Sequence, residues 1–170
     1  MIIDIDPNGY ASCGEHRWRC ALGKGGLHIH KREGDGITPV GEYALGRVFY
    51  RPDRNPTPPE TGLETYAIDM DWGWCDDPDH PDYNTLITRP HPAHHERLWR
   101  DDDLYDVVVE VLYNSAPIIA GRGSAIFMHI AKPDYAPTEG CIALKKDDLL
   151  ALLRLCTEPA WVRVPAANAD

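Results

Sequence analysis

The chain lacks any run of about 18 apolar residues, the length a helix needs to span a bilayer, so no transmembrane helix is expected. It is short of positive charge. Lys and Arg total 17 against 27 Asp and Glu, a net charge of −10 with the eight His neutral. A protein that tracks nucleic-acid phosphates needs a basic stripe, and this balance argues against that class. Internal repeats and low-complexity tracts are absent. The first residues, MIIDIDPNGYASC, lack the basic region and following apolar stretch of a secretory signal. The expectation is a chain made without one, or exported by a route not written in this form. The five cysteines (Cys13, Cys20, Cys75, Cys141 and Cys156) are an odd number, which excludes complete internal pairing.

What is present is an ordinary globular composition, 43% hydrophobic and 26% charged. A length of 170 residues fits one domain, 1–170, with a full core. Fifteen Pro and fourteen Gly point to a fold rich in loops and strands. Strand-like alternation appears at 2–6 and 16–23, and a Gly/Pro-punctuated turn at 34–41 leads to a strand over 42–49. Residues 51–62 read as a Pro-rich surface loop. Residues 71–103, rich in Trp and His with little periodicity, read as a long irregular excursion of the functional kind. The β-branched run 105–114 and the segment 124–131 are the best central strands, and WVRV at 161–164 closes the series. Leu149, Leu150, Leu152, Leu153 and Cys156 recur at helical spacing, with Asp147 or Asp148 placed to cap the helix. The fold class is therefore mainly β (α+β), a mixed β-sandwich with one helix packed near the C-terminus. Cys20 and Cys156 fit as small buried hydrophobes.

Chemistry concentrates in SAIFMHIAKPDYAPTEGCIALKK. A thiol becomes a nucleophile when a base or a positive charge stands beside it. His129 precedes Cys141 by 12 residues, and a strand–loop–strand path can bring the two side by side. Gly140 lets the backbone turn tightly before the thiol, aiming the Cys141 amide and its neighbours at a developing oxyanion.

These residues resemble the signature of the YkuD-type L,D-transpeptidase family: a His, a loop, then Ser or Thr, any residue, Gly, Cys and an apolar residue. Here they are His129, Thr138, Gly140, Cys141 and Ile142. KREGDGITPVGEYAL at 31–45 is similar to the family's Gly-Asp-Gly-x-Thr-Pro-x-Gly segment. WCDDPDHPDYN, HERLWRDDDLYD and GRGSAIFMH resemble members that consist of a lone catalytic domain. The resemblance spans nearly the whole chain. It implies attack by Cys141 on the amide carbonyl that follows the L-centre of diaminopimelate in a peptidoglycan stem. The terminal D-residue leaves, and an amine acceptor resolves the thioester. His129 would be the base and then the acid, and the Gly140/Cys141 backbone the oxyanion site. The products would be crosslinks (diaminopimelate to diaminopimelate, or to L-Ala) or exchanged D-amino acids. The implied partners are donor and acceptor stem peptides, with a covalent carbapenem adduct expected on the same thiol. No metal or organic cofactor is implied. The substrate implies the periplasm or cell envelope; the lack of a recognisable signal keeps the cytoplasm open.

The chain departs from the family in a shorter loop from His129 to Thr138 and at two positions. Glu139 stands where many members have His, and Ala143 where many have Arg. Arg122 or Arg97 is expected to supply the missing cation. Thr138 either caps or shapes the turn, or it orients His129 or lines the thiol pocket. Tyr83, His94 and Trp99 are expected to touch substrate. Glu139, Asp76, Asp77 and Asp79 read as solvated loop residues, and Asp101, Asp102 and Asp103 as the cap of a short turn. His80, His91, His94 and His95, with Cys75, match no tight zinc spacing, so no metal site is expected. Two other outcomes fit the sequence: a carboxypeptidase or amidase-type hydrolase using the same thiol, and a non-catalytic β-domain that binds ligands through its Trp-rich segment.

Overall fold

A computed structural model describes residues 1–167. Apolar/acidic alternation makes Ile2–Asp6 a strand, β1, with Ile3 and Ile5 turned inward. The chain reverses through Gly9 into β2 (Tyr10–Cys13) and again into β3 (His16–Ala21), two antiparallel pairings in succession. Two short strands, β4 (Leu27–His28) and β5 (Thr38–Pro39), bracket the Gly-rich turn and pair in parallel. The long β6 (Gly41–Tyr50) follows, then β7 (Thr65–Ala67). Next come β8 (Trp72–Cys75), β9 (Leu86–Thr88) and β10 (His95–Arg97). The chain ends with β11 (Val107–Val111), β12 (Phe127–Ile130), β13 (Ile142–Leu144), α1 (Lys146–Leu155) and β14 (Trp161–Val164).

Nine of these strands form one mixed sheet in the order β11-β12-β13-β3-β2-β1-β14-β6-β7. β6 is long enough to serve several neighbours. Its first half pairs with β14, its second half with β7, and β11 also pairs with it, so the sheet runs back onto itself. The enclosed core holds Val48, Val107, Val109, Met128, Ile142 and Leu144. Leu149, Leu152 and Leu153 of α1 are fully buried against it. The mostly-β class with one C-terminal helix is therefore the observed one.

Three details differ from the sequence expectation. No side chain caps α1: its N-cap is Lys145, and Asp147 and Asp148 lie inside the first turn, where they favour the positive end of the helix dipole. The run 105–114 is strand only from Val107 to Val111, because Tyr113 and Asn114 leave the sheet to build a loop. The excursion 71–103 is more regular than its sequence suggests. β8 lies between β9 and β10 in an antiparallel sheet of its own. Trp74 and Tyr105 both pack edge-on against Phe127, at centroid distances of 5.1 and 5.8 Å. Among the described residues no helix is long and apolar enough to cross a membrane.

Candidate active site

β12 and β13 run parallel, with Met128 level with Ile142 and His129 level with Ala143. Side chains alternate across a strand, so even and odd positions face opposite ways. Met128, Ile130, Ile142 and Leu144 enter the main core. His129, Cys141 and Ala143 face a cleft of about 490 Å³. One alternation thus places the imidazole and the thiol on one face. The small Ala143 opposite His129 is fully buried among Ala21 and Ala131.

The turn before the thiol is fixed by hydroxyls. Thr138 Oγ1 accepts the Gly140 N–H (3.1 Å) and donates to the Cys141 carbonyl (2.6 Å). Thr38, buried in the Gly/Pro-rich turn, donates to the Gly140 carbonyl at 2.9 Å and accepts the Gly23 N–H at 2.9 Å. Gly140 has φ +131°, and a Cβ there would stand 2.7 Å from the Ile37 carbonyl oxygen. No other residue type fits this close approach. Thr138 takes the Gly140 N–H, while the amides on either side of it, Glu139 N–H and Cys141 N–H, have no hydrogen bond among the described residues.

The Cys141 thiol donates to the Ala125 carbonyl (3.2 Å), and its sulfur accepts the Phe127 N–H (3.4 Å). Burial pushes the thiol up to about 12, with the Phe127 N–H opposing that shift. His129 Nδ1 donates to the Ile130 carbonyl at 2.9 Å, which leaves Nε2 as the basic nitrogen. Burial lowers His129 to about 4. The Tyr105 ring packs edge-on against the imidazole at 5.4 Å, and its hydroxyl donates to Glu96 Oε1 at 2.8 Å. Desolvation raises the Glu96 carboxyl to about 7 despite that hydrogen bond.

Thr138 joins His129 and Cys141 at the cleft, and Gly140 forms the turn beneath them. The other five residues expected to touch substrate or supply the cation do not line it. Tyr83 is buried behind the wall, donating to Glu33 Oε2 at 2.5 Å and accepting the Gly123 N–H at 2.9 Å. Trp99 is covered by the Arg51 guanidinium, 3.9 Å above its ring. The exposed His94 turns to Asp76 (2.5 Å), whose carboxylate raises its pKa. Arg122 lines a separate groove, and Arg97 lies exposed on β10.

The exposed Lys24 pairs with Glu139 on the outer side of the turn at 2.8 Å; the buried cation at the turn is Lys31. Its side chain is only 3% exposed, it donates to Asp35 Oδ1 at 2.9 Å, and its Nζ lies 3.4 Å from where a Cβ at Gly140 would be. Sequence reading passed over it, along with Glu33, Glu96, Arg100 and Tyr105, which also line the cleft. The available signal for Lys31 was its place at the head of KREGDG, a segment carried to the thiol by Thr38.

His80, Asp82 and His91 each bring one potential ligand atom within 4.8 Å of the others. His80 Nδ1 accepts the Asp82 N–H and His91 Nδ1 accepts the Ala93 N–H. Each neutral ring therefore carries its proton on Nε2, and His91 Nε2 meets Asp82 at 2.9 Å. The arrangement suits a hydrogen-bonded cluster and leaves neither ring a free lone pair for a cation.

The family model described as the L,D-transpeptidase catalytic domain, YkuD, matches residues 9–164, and the chain belongs to that family. Its members are cysteine-dependent L,D-transpeptidases, and the family implies a peptidoglycan substrate. No curated protein matches the chain. Among solved structures, the helical cell shape determining protein Pgp2 from Campylobacter jejuni aligns with TM-score 0.48 at 16% identity, over 96% of this chain and 46% of that one. A point mutant of the same protein aligns with identical figures. The chain thus spans about half the length of these structures.

Proposed function

We propose that the chain is an acyl-transferring enzyme that remodels peptidoglycan stem peptides through a thioester on Cys141. The observation that carries this reading is the pairing of Cys141 and His129 on one cleft face, beside a Gly140 turn and an unused Cys141 N–H. Both groups rest neutral, because burial disfavours the thiolate and the imidazolium alike. The proton therefore leaves sulfur for His129 Nε2 as the sulfur closes on the carbonyl that follows the L-centre of diaminopimelate. The Ile130 carbonyl holds Nδ1–H and so fixes the tautomer this step needs. The carbonyl oxygen becomes an oxyanion facing the Cys141 N–H, with the Lys31 ammonium nearby. Collapse breaks the C–N bond to the terminal D-residue, and His129 returns its proton to the leaving amine.

The resulting thioester has two fates. An acceptor amine attacks it to give a crosslink or an exchanged D-amino acid, the thiol taking back its proton through His129. Water gives hydrolysis. The buried setting of Cys141 favours the first, since it limits the water that reaches the sulfur. A β-lactam of the carbapenem class would acylate the same sulfur.

Incubating the chain with tetrapeptide muropeptides and reading masses tests this. Dimers or exchanged D-amino acids are expected, and Cys141→Ala should form neither. Bare tripeptide as sole product would instead assign hydrolysis. Full activity in Cys141→Ala would defeat both forms of thiol chemistry.

A further inference from the structure

A second concavity lies on the other side of Lys31. It is a groove of about 880 Å³, walled by residues 29–32 and by the loop 112–122, with Tyr43 and Tyr113 at its base. The chain carries ten more acids than bases, yet no Asp or Glu lines this groove. His30, Lys31, Arg32 and Arg122 do. Arg32 and Arg122 are exposed, and neither forms an ion pair among the described residues. The rim is apolar: Ile29 is 70% exposed, Ile119 42% and Leu112 36%.

The groove is preformed. The Asn114 side chain accepts the Ile119 N–H (2.8 Å) and donates to the carbonyls of Ile119 (3.0 Å) and Gly123 (2.9 Å). The Tyr113 hydroxyl donates to the Arg122 carbonyl, and the Glu33 N–H bonds across to Gly121, tying the two walls together. A ligand entering it meets little ordering cost. Unpaired guanidinium groups select carboxylates, the isoleucines select small apolar side chains, and concavity selects an extended chain over a flat surface.

We infer that this groove is a second peptide site, holding a carboxylate-bearing stem peptide of a neighbouring peptidoglycan strand while the first stem occupies the cleft. The identity of the peptide rests on the function proposed above; the charge and shape of the groove do not. Lys31 borders both concavities, with Nζ toward Gly140 and Cε 2.7 Å from where a Cβ at Gly123 would be. The two peptides would thus lie back to back across one side chain.

Calorimetric titration of the full chain bearing Cys141→Ala with tetrapeptide stem tests the inference. Two sites are expected. Arg32→Gln with Arg122→Gln should weaken one of them roughly tenfold or more and remove most of its salt dependence, leaving the other intact. Ile119→Glu, which puts a like charge beside the carboxylates, should weaken the same site. A single site, or two sites indifferent to these changes, overturns the inference. So does sedimentation with phosphatidylglycerol vesicles, or self-association, that Ile119→Glu abolishes, because the groove would then serve a membrane or a second copy. Intact-mass measurement of the unsubstituted chain with the same peptide separates the two proposals. A thioester on Cys141 upholds the transferase reading whatever the groove binds, and its absence defeats that reading alone.

Discussion

Cys141 and His129 are both buried, and burial acts on them in opposite directions. The thiol rises to about 12 and the imidazole falls to about 4, so a neutral pair prevails across the range between. For His129 the unfolded chain binds the proton more readily than the folded one between about pH 6.5 and pH 4. Stability linked to this residue is therefore full above 6.5 and is lost as pH falls through 4. A His129→Gln variant should lose that part of the acid slope in denaturant titrations taken at several pH values. In the unsubstituted protein kcat/KM should decline toward pH 4 as the base becomes occupied. A profile flat from acid to alkaline would contradict the pairing. Lys31 belongs to the same scale. Lys31→Met removes the buried cation beside the Gly140 turn and keeps most of its volume. It should lower kcat/KM about a hundredfold to a thousandfold, the range of a lost oxyanion donor, with little change in KM. An unchanged kcat would leave Lys31 only its structural bond to Asp35.

At the scale of elements, the site depends on three segments meeting at one turn. β12 supplies the imidazole, the residue just before β13 supplies the thiol, and the Gly/Pro-rich turn supplies the Thr38 hydroxyl that holds Gly140. Gly140→Ala would force a Cβ against the Ile37 carbonyl at a left-handed φ. The expected cost is about 1–3 kcal/mol in stability. Because the turn must shift, kcat/KM should fall further, about a hundredfold for a displacement near 1 Å. Thermal melts and steady-state rates on one preparation check both. Much at this scale was legible. The apolar run 124–131 announced the strand that carries His129, and the helical leucines announced α1; the shared face of His129 and Cys141 comes from the β12–β13 register. The β8–β9–β10 sheet was not legible, because its strands are three or four residues long and their pairing comes from contacts distant in sequence. Asp147 and Asp148 misled for a related reason: acidic residues at a helix start serve the dipole as well as the cap, and only backbone angles separate the two.

At the scale of the whole molecule, the small sheet works as the back wall of the site. Asn84 is its joint. Its Oδ1 accepts the Trp74 indole N–H (2.9 Å) and the Ala125 N–H (3.0 Å), and its Nδ2 donates to the carbonyls of Tyr113 (3.2 Å) and Asn114 (2.8 Å). Ala125 in turn receives the Cys141 thiol. Asn84→Ala should cost about 3 kcal/mol, since two N–H donors lose their acceptor. It should also reduce acylation of Cys141 by tetrapeptide, because the peptide that orients the resting thiol is released. Chemical unfolding with single-turnover mass measurement reads both effects, and a loss of stability with unchanged acylation would confine Asn84 to the scaffold.

The sequence by itself determined the local matters: which segments alternate, where Gly must stand, and that one thiol follows a histidine at a spacing two parallel strands can close. Those depend on neighbours within a dozen residues. Only the tertiary structure decided which distant side chains surround the thiol. It brought Lys31 to the turn, buried Tyr83 behind the cleft wall and covered Trp99 with the Arg51 guanidinium. It also carried Arg122 to a groove on the far side of Lys31. The reason is physical. Lys31 reaches the turn because Thr38 ties the β4–β5 loop to Gly140 and Gly123 packs on the lysine stem, and those contacts join segments with no fixed sequence separation.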